Sequence, residues 1–138
     1  MAQVIYDFSS QHLEQLHQLY QTVWWANKRS FEQTVACVKG SQVCIGLLDD
    51  NERLVGFTRV ITDGIFKAVI FDVIVSESQR GKKLGLRLMD LVKSHSVLKD
   101  VQHVELYCLP EMESFYSNLG FTTELGGVNL MRFKGPNA

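Results

Sequence analysis

The sequence predicts a single α/β domain of the α+β type, with a mixed, mainly antiparallel sheet of six to seven strands flanked by about four helices. Three observations predict it. The hydrophobic periods read strand, two helices, three successive strands, helix, strand, helix, then two closing strands. Three strands joined by tight turns make an antiparallel meander, and the strand–helix–strand after it makes a right-handed parallel crossover. The 138 residues fit one domain spanning 1–138, which buries roughly two-thirds of its unfolded surface.

Each element has a local signal. Val4 to Phe8 reads as a short strand. From Ser10, Leu13, Leu16, Tyr20 and Val23 recur at helical steps. Ser30 and Gln33 have capping-box spacing, so a second helix opens there, and Gly40 suits a left-handed stop. Gln42–Leu48, Leu54–Thr62 and Ala68–Val75 are β-prone runs, separated by Asp49-Asp50-Asn51 and by Asp63-Gly64. Ala68–Val75 is almost entirely apolar apart from Asp72, as expected of a strand covered on both faces. Leu84, Leu88, Leu91 and Val92 make the stripe of a third helix ending near His95. His103–Cys108 is a further strand. Glu111–Leu119 is a short helix stopped by Gly120. Phe121–Thr123 and Val128–Phe133 are expected to pair around Gly126-Gly127.

Composition excludes several function classes. A formal net charge of -1 provides no global field for nucleic acid or an anionic membrane, so neither is an expected partner. Cys37, Cys44 and Cys108 are odd in number and fit no zinc spacing, and His12, His17, His95 and His103 are scattered, so no metal site is expected. Free thiols point to a reducing, cytoplasmic setting. No basic leader precedes an apolar run, and no stretch reaches the roughly 20 apolar residues of a membrane span.

The chemistry concentrates between Asp72 and Leu88. A buried strand, Asp72-Val73-Ile74-Val75, runs into a basic glycine-containing loop and then into a helix. The first turn of a helix carries unpaired N–H donors and partial positive charge, which favours phosphate. Arg80, Lys82, Lys83 and Arg87 add cationic side chains. A solvated loop capping a helix has the same composition. The loop lacks the Gly-Lys-Ser/Thr of a Walker motif and the GxGxxG of a dinucleotide fingerprint.

Arg80-Gly81-Lys82-Lys83-Leu84-Gly85 resembles the cofactor loop of the GCN5-related N-acetyltransferases, Gln/Arg-x-x-Gly-x-Gly/Ala, at its first and last positions. Phe115-Tyr116-Ser117-Asn118-Leu119-Gly120-Phe121, about thirty residues on, resembles that family's Phe-Tyr-x-x-x-Gly-Phe segment. The element order also matches, so the resemblance covers nearly the whole chain. It departs at Lys83, where the family has glycine. If that position needs positive φ, a side chain costs about 1 kcal/mol or more, unless Gly81 supplies the turn.

The resemblance implies an N-acetyltransferase that moves the acetyl group of acetyl-CoA to a primary amine, of a small molecule or peptide, by direct attack. It implies that Val73, Ile74 and Val75 lie along the pantetheine arm, and that Arg80, Gly81, Lys82, Lys83, Leu84, Gly85 and Leu86 hold the pyrophosphate. It implies Tyr116 as general acid toward the leaving thiolate, while periodicity alone fits a core aromatic; Tyr107 is the weaker candidate. Asp72, the lone carboxylate of its strand, is the first candidate for a base if burial raises its pKa; a structural hydrogen bond is the alternative. Glu77 is expected to be solvated. Trp24, Trp25 and Arg29 border the acceptor region in the family and suit a flat or acidic acceptor, with ordinary helix packing as the other reading of the tryptophans. Arg59 and Asp63 also fall where they face such a pocket. A non-catalytic acyl-CoA-binding module would keep the loop without needing Tyr116. Pairing of the late strands with a second copy would give a homodimer.

Overall fold

The computed structural model describes residues 2–138, in two compact units, one running as far as Tyr107 and the other Cys108–Ala138. The first holds a five-stranded sheet in the order β1-β2-β3-β4-β5. Its strands are β1 (Gln3–Ile5), β2 (Val43–Leu48), β3 (Leu54–Thr62), β4 (Lys67–Val75) and β5 (His103–Leu106). All neighbours are antiparallel except β4 and β5, which are parallel. The meander and the crossover therefore form where turn residues and hydrophobic period place them.

Helix α1 (Ser10–Gln21) starts at Ser9, whose hydroxyl accepts the His12 N–H while the His12 ring accepts the Ser9 N–H. Helix α2 (Phe31–Lys39) opens with the expected box: Ser30 Oγ accepts from Gln33 N at 3.1 Å, and Gln33 Oε1 from Ser30 N at 2.9 Å. Gly40 ends it at φ -83°, so the left-handed stop expected there does not form. Its N–H instead closes the last turn on the Ala36 carbonyl. Helix α3 (Leu84–Ser94) connects β4 to β5 and packs on β2, β3 and β4, with Leu88, Met89 and Val92 buried.

One core cluster joins α1 to the sheet. It contains Leu16, Leu19 and Tyr20 of α1, Cys44 and Leu48 of β2, Leu54 and Phe57 of β3, and Ile74 of β4. Side chains alternate along a strand, so Val43 and Ile45, also buried, turn to the opposite face from Cys44.

The register of β3 on β4 breaks once. Phe57 pairs with Ile74 and Arg59 with Phe71, so Thr58 alone opposes Asp72 and Val73. This is a β-bulge. Asp72 takes its left-handed position at φ 58°, and the fully buried Thr58 hydroxyl donates to the Phe71 carbonyl at 3.0 Å.

The second unit carries a 3-10 turn, Pro110–Met112, followed by helix α4 (Glu113–Ser117). Gly120 is left-handed there at φ 96°, as expected after a helix. The two closing strands expected at Phe121–Thr123 and Val128–Phe133 do not form. Gly126 and Gly127 do take positive φ, but no ladder follows, and Met131 and Phe133 are 91% and 95% exposed. β-prone composition makes a strand only when a partner takes up its hydrogen bonds and its apolar side chains find a covered face.

Candidate active site

Two edges of β4 behave differently. Toward β3 it is paired as far as Val75. Toward β5 the ladder stops at Ile70 with Leu106. Among the described residues, 71–75 therefore have no strand partner on that edge, and Val73, Ile74 and Val75 lie in this stretch. Unpaired strand backbone is a template for an extended ligand. The Phe71 ring meets Tyr107 edge-on at 6.0 Å where the two strands part.

β4 leads into a 3-10 turn, Glu77–Gln79, then extended Arg80, then Gly81 at φ 84° and Lys83 at φ 61°. The glycine and the lysine both take the left-handed conformation. Gly81 does so freely, whereas Lys83 does so at a cost of about 1–2 kcal/mol. Lys83 is the N-cap of α3, and its side chain makes no capping bond. The first α3 bond runs from Arg87 N to the Lys83 carbonyl at 3.1 Å. The N–H groups of Leu84, Gly85 and Leu86 fall in the first turn and so have no acceptor within the helix. Lys82, Lys83, Leu84 and Arg87 line one wall of a cavity of about 440 Å³, with Asp49 and Asp50 on another. The Arg87 guanidinium is anchored to the Ala2 carbonyl.

A charged cluster surrounds the bulge. Asp72 Oδ2 accepts from Arg59 Nε at 2.6 Å, Arg29 Nη1 at 2.7 Å and the Tyr20 hydroxyl at 2.9 Å. Its Oδ1 accepts from Arg29 Nη2 at 3.3 Å. Arg29 lies 4.6 Å from the Tyr20 ring centre and 5.5 Å from that of Trp25, and Arg59 lies 4.9 Å from that of Phe71. Burial alone would raise the Asp72 pKa, as a role as base requires. The hydrogen bonds and charges of Arg29 and Arg59 outweigh burial and hold the carboxyl below its ordinary range. Burial, with the Asp72 charge, pushes the Tyr20 phenol far up and keeps it a donor.

Other expected residues have different surroundings. Asp63 accepts the backbone N–H groups of Ile65, Phe66 and Lys67 and so shapes the β3–β4 turn. Glu77 opens the 3-10 turn. Trp24 and Trp25 are exposed, and Trp25 is the one that reaches Arg29. Tyr20 escaped the sequence reading as a site residue because it sits on the apolar stripe of α1, and its carboxylate partner is 52 positions away.

In the second unit, Tyr116 is buried and its ring contacts Phe115 at 5.0 Å and Phe121 at 5.9 Å, both edge-on. The Phe121 N–H donates to the Tyr116 carbonyl at 3.1 Å, which closes the turn through Gly120. Burial, and then the neighbouring Cys108, raise the phenol pKa above its ordinary 10.0.

A family model described as the acetyltransferase (GNAT) domain matches residues 6–129. The uncharacterized N-acetyltransferase ycf52 of Porphyra purpurea is 32% identical over 123 residues, covering 87% of this chain and 70% of that protein. The GCN5-related N-acetyltransferase 1, chloroplastic, of Arabidopsis thaliana is 28% identical, covering 88% of this chain and 62% of that protein. Among solved structures, a Xanthomonas campestris protein described as belonging to the GNAT family superposes with a TM-score of 0.81 at 29% identity, over 99% of this chain and 96% of that one.

Proposed function

The chain belongs to the GNAT family of acetyltransferases, and from that premise we propose that it is an acetyl-CoA-dependent N-acetyltransferase acting on a primary amine. The observation that carries the reading is the pairing of β4, which ends against β5 at Ile70 and continues against β3 to Val75. An extended pantetheine arm is an amide chain that fits such a one-sided edge. The pyrophosphate fits the open donors of Leu84, Gly85 and Leu86, with Arg80, Lys82 and Lys83 around them. Asp49 and Asp50 partly offset the lysines in the neighbouring cavity, so the backbone donors carry most of this recognition.

In this reaction the amine nitrogen bonds to the thioester carbon and the carbon–sulfur bond breaks. The sulfur takes a proton and the attacking nitrogen loses one. Backbone N–H groups at the bulge are suited to the developing oxyanion, where one donor is worth about 3 kcal/mol. Tyr116 is the group proposed to protonate the thiolate, because its raised pKa keeps the proton in place at neutral pH. Asp72 acts as the counterion that positions Arg29 and Arg59, since its oxygens already accept four contacts. The attacking amine gives its proton to water.

The test has two stages. Coenzyme A at 100 times its dissociation constant should stabilise the protein by about 2.7 kcal/mol, read as a rise in melting temperature. A thiol-release assay with acetyl-CoA against a panel of amines should then show acceptor-dependent turnover. Absence of any coenzyme-dependent shift overturns the proposal.

A further inference from the structure

Two arginines share one carboxylate at the bulge. Arg29, Arg59 and Asp72 sum to one positive charge, and Tyr20, its pKa raised, adds none. The cluster is substantially removed from water, with side-chain exposures of 29% for Arg29, 12% for Arg59 and 5% for Asp72. A partly desolvated cation without a full set of counterions attracts an anion.

The donor count agrees. A guanidinium has five N–H groups. Arg29 gives two to Asp72, while Arg59 gives one to Asp72 and one to Ser41 Oγ at 3.3 Å. Three of five stay open on each among the described residues. Asp72 already accepts contacts on both oxygens. The aromatic rings of Tyr20, Trp25 and Phe71 lie against the guanidinium centres. Stacking of this kind holds the forks while their edges stay open to a planar or tetrahedral oxyanion. The cluster also sits where β4 loses its β5 partner, which is the stretch assigned above to the thioester arm.

We propose that the acceptor is a small amine carrying a carboxylate or phosphate, and that Arg29 and Arg59 bind this anionic group and so set acceptor specificity. This rests on the acetyl-transfer reading of the same site. Polyamines and lysines in basic segments are disfavoured by the same excess charge.

The test uses matched pairs that differ in the anion: phosphoethanolamine against ethanolamine, and phenylalanine against phenylalaninamide. Trp24 and Trp25 are the two tryptophans of the chain, and the Trp25 ring lies 5.5 Å from the Arg29 guanidinium carbon, so tryptophan emission reports binding without turnover. Phosphoethanolamine or phenylalanine should beat its partner by about tenfold to a hundredfold in kcat/KM, the range for charge-assisted hydrogen bonds. At least one anionic probe should bind saturably without acetyl-CoA, with phosphoethanolamine read by tryptophan emission and phenylalanine by calorimetry. Arg29→Gln should abolish both preferences while leaving the coenzyme A thermal shift unchanged. Arg29→Lys, which keeps charge but loses the fork, should retain part of them. A preference confined to one pair assigns carboxylate or phosphate.

Equal binding and turnover within both pairs, or a preference that survives Arg29→Gln, overturns the inference. If coenzyme A binds and neutral amines are acetylated as well as anionic ones, this inference alone fails. If an anionic probe binds through Arg29 but coenzyme A does not bind, the acetyl-transfer reading alone fails.

Discussion

The Asp72 carboxylate accepts the Nε–H of Arg59 at 2.6 Å across the bulge in the β3–β4 ladder. The bulge turns the carboxylate to the arginines, and the arginines hold a charge that an apolar strand would otherwise expel.

Asp72→Asn isolates the charge, because asparagine tolerates a left-handed φ as aspartate does. Removing one partner of a fully buried pair costs about 3–5 kcal/mol. The partial exposure of Arg29 and Arg59 reduces this to about 2–3 kcal/mol. The folded-state pKa of Asp72 is depressed. Its contribution is therefore complete above the ordinary carboxylate pKa and fades as pH falls through the lower folded value. Urea denaturation should show a wide gap between wild type and variant at pH 7, narrowing at pH 3 and below.

Lys83→Gly relieves the left-handed strain at the start of α3, whereas Lys83→Ala removes the same charge and keeps the strain. The glycine variant should be more stable than the alanine variant by about 1–2 kcal/mol, or roughly 3–8 °C in Tm. Both should bind coenzyme A more weakly than wild type, and more so at low salt. Equal melting temperatures would show that the loop carries no strain at this position.

Tyr116→Phe removes the proposed proton donor and little else. A loss in kcat of about a hundredfold or more is expected, with coenzyme A affinity unchanged. Because burial raises the phenol pKa, wild-type kcat should not fall through loss of this proton below about pH 10. A variant that turns over at the wild-type rate would remove Tyr116 from the mechanism.

Gly46→Ala tests the packing around β2, where β1, the β1–α1 connection and β3 close over the glycine. An added Cβ would sit 2.9 Å from Ile5 Cγ1, Leu54 Cδ1 and Phe8 Cζ. Overpacking of this kind costs about 1–3 kcal/mol, measured as a lower denaturation midpoint with an unchanged slope.

The sequence by itself determined what short-range chemistry governs. The capping box at Ser30, the Asp63-Gly64 turn and the basic loop after β4 are each written within a few consecutive residues, and each formed; of the expected α3 stripe Leu88 and Val92 are buried, together with Met89, while Leu84 and Leu91 are half-buried. The paired motifs around Arg80 and Tyr116 carried the family in the same way. Tertiary structure decided what depends on partners far along the chain. Tyr20, Arg29, Arg59 and Asp72 come from α1, the α1–α2 connection, β3 and β4, and no local pattern announces that they share hydrogen bonds. The closing strands failed for the complementary reason. Val128–Phe133 has strand-like composition, but a strand's hydrogen bonds belong to its neighbour, and local sequence does not supply one. Asp72 illustrates the same limit in electrostatics: burial in an apolar run argues for a raised pKa, and two guanidiniums brought in by folding reverse its sign.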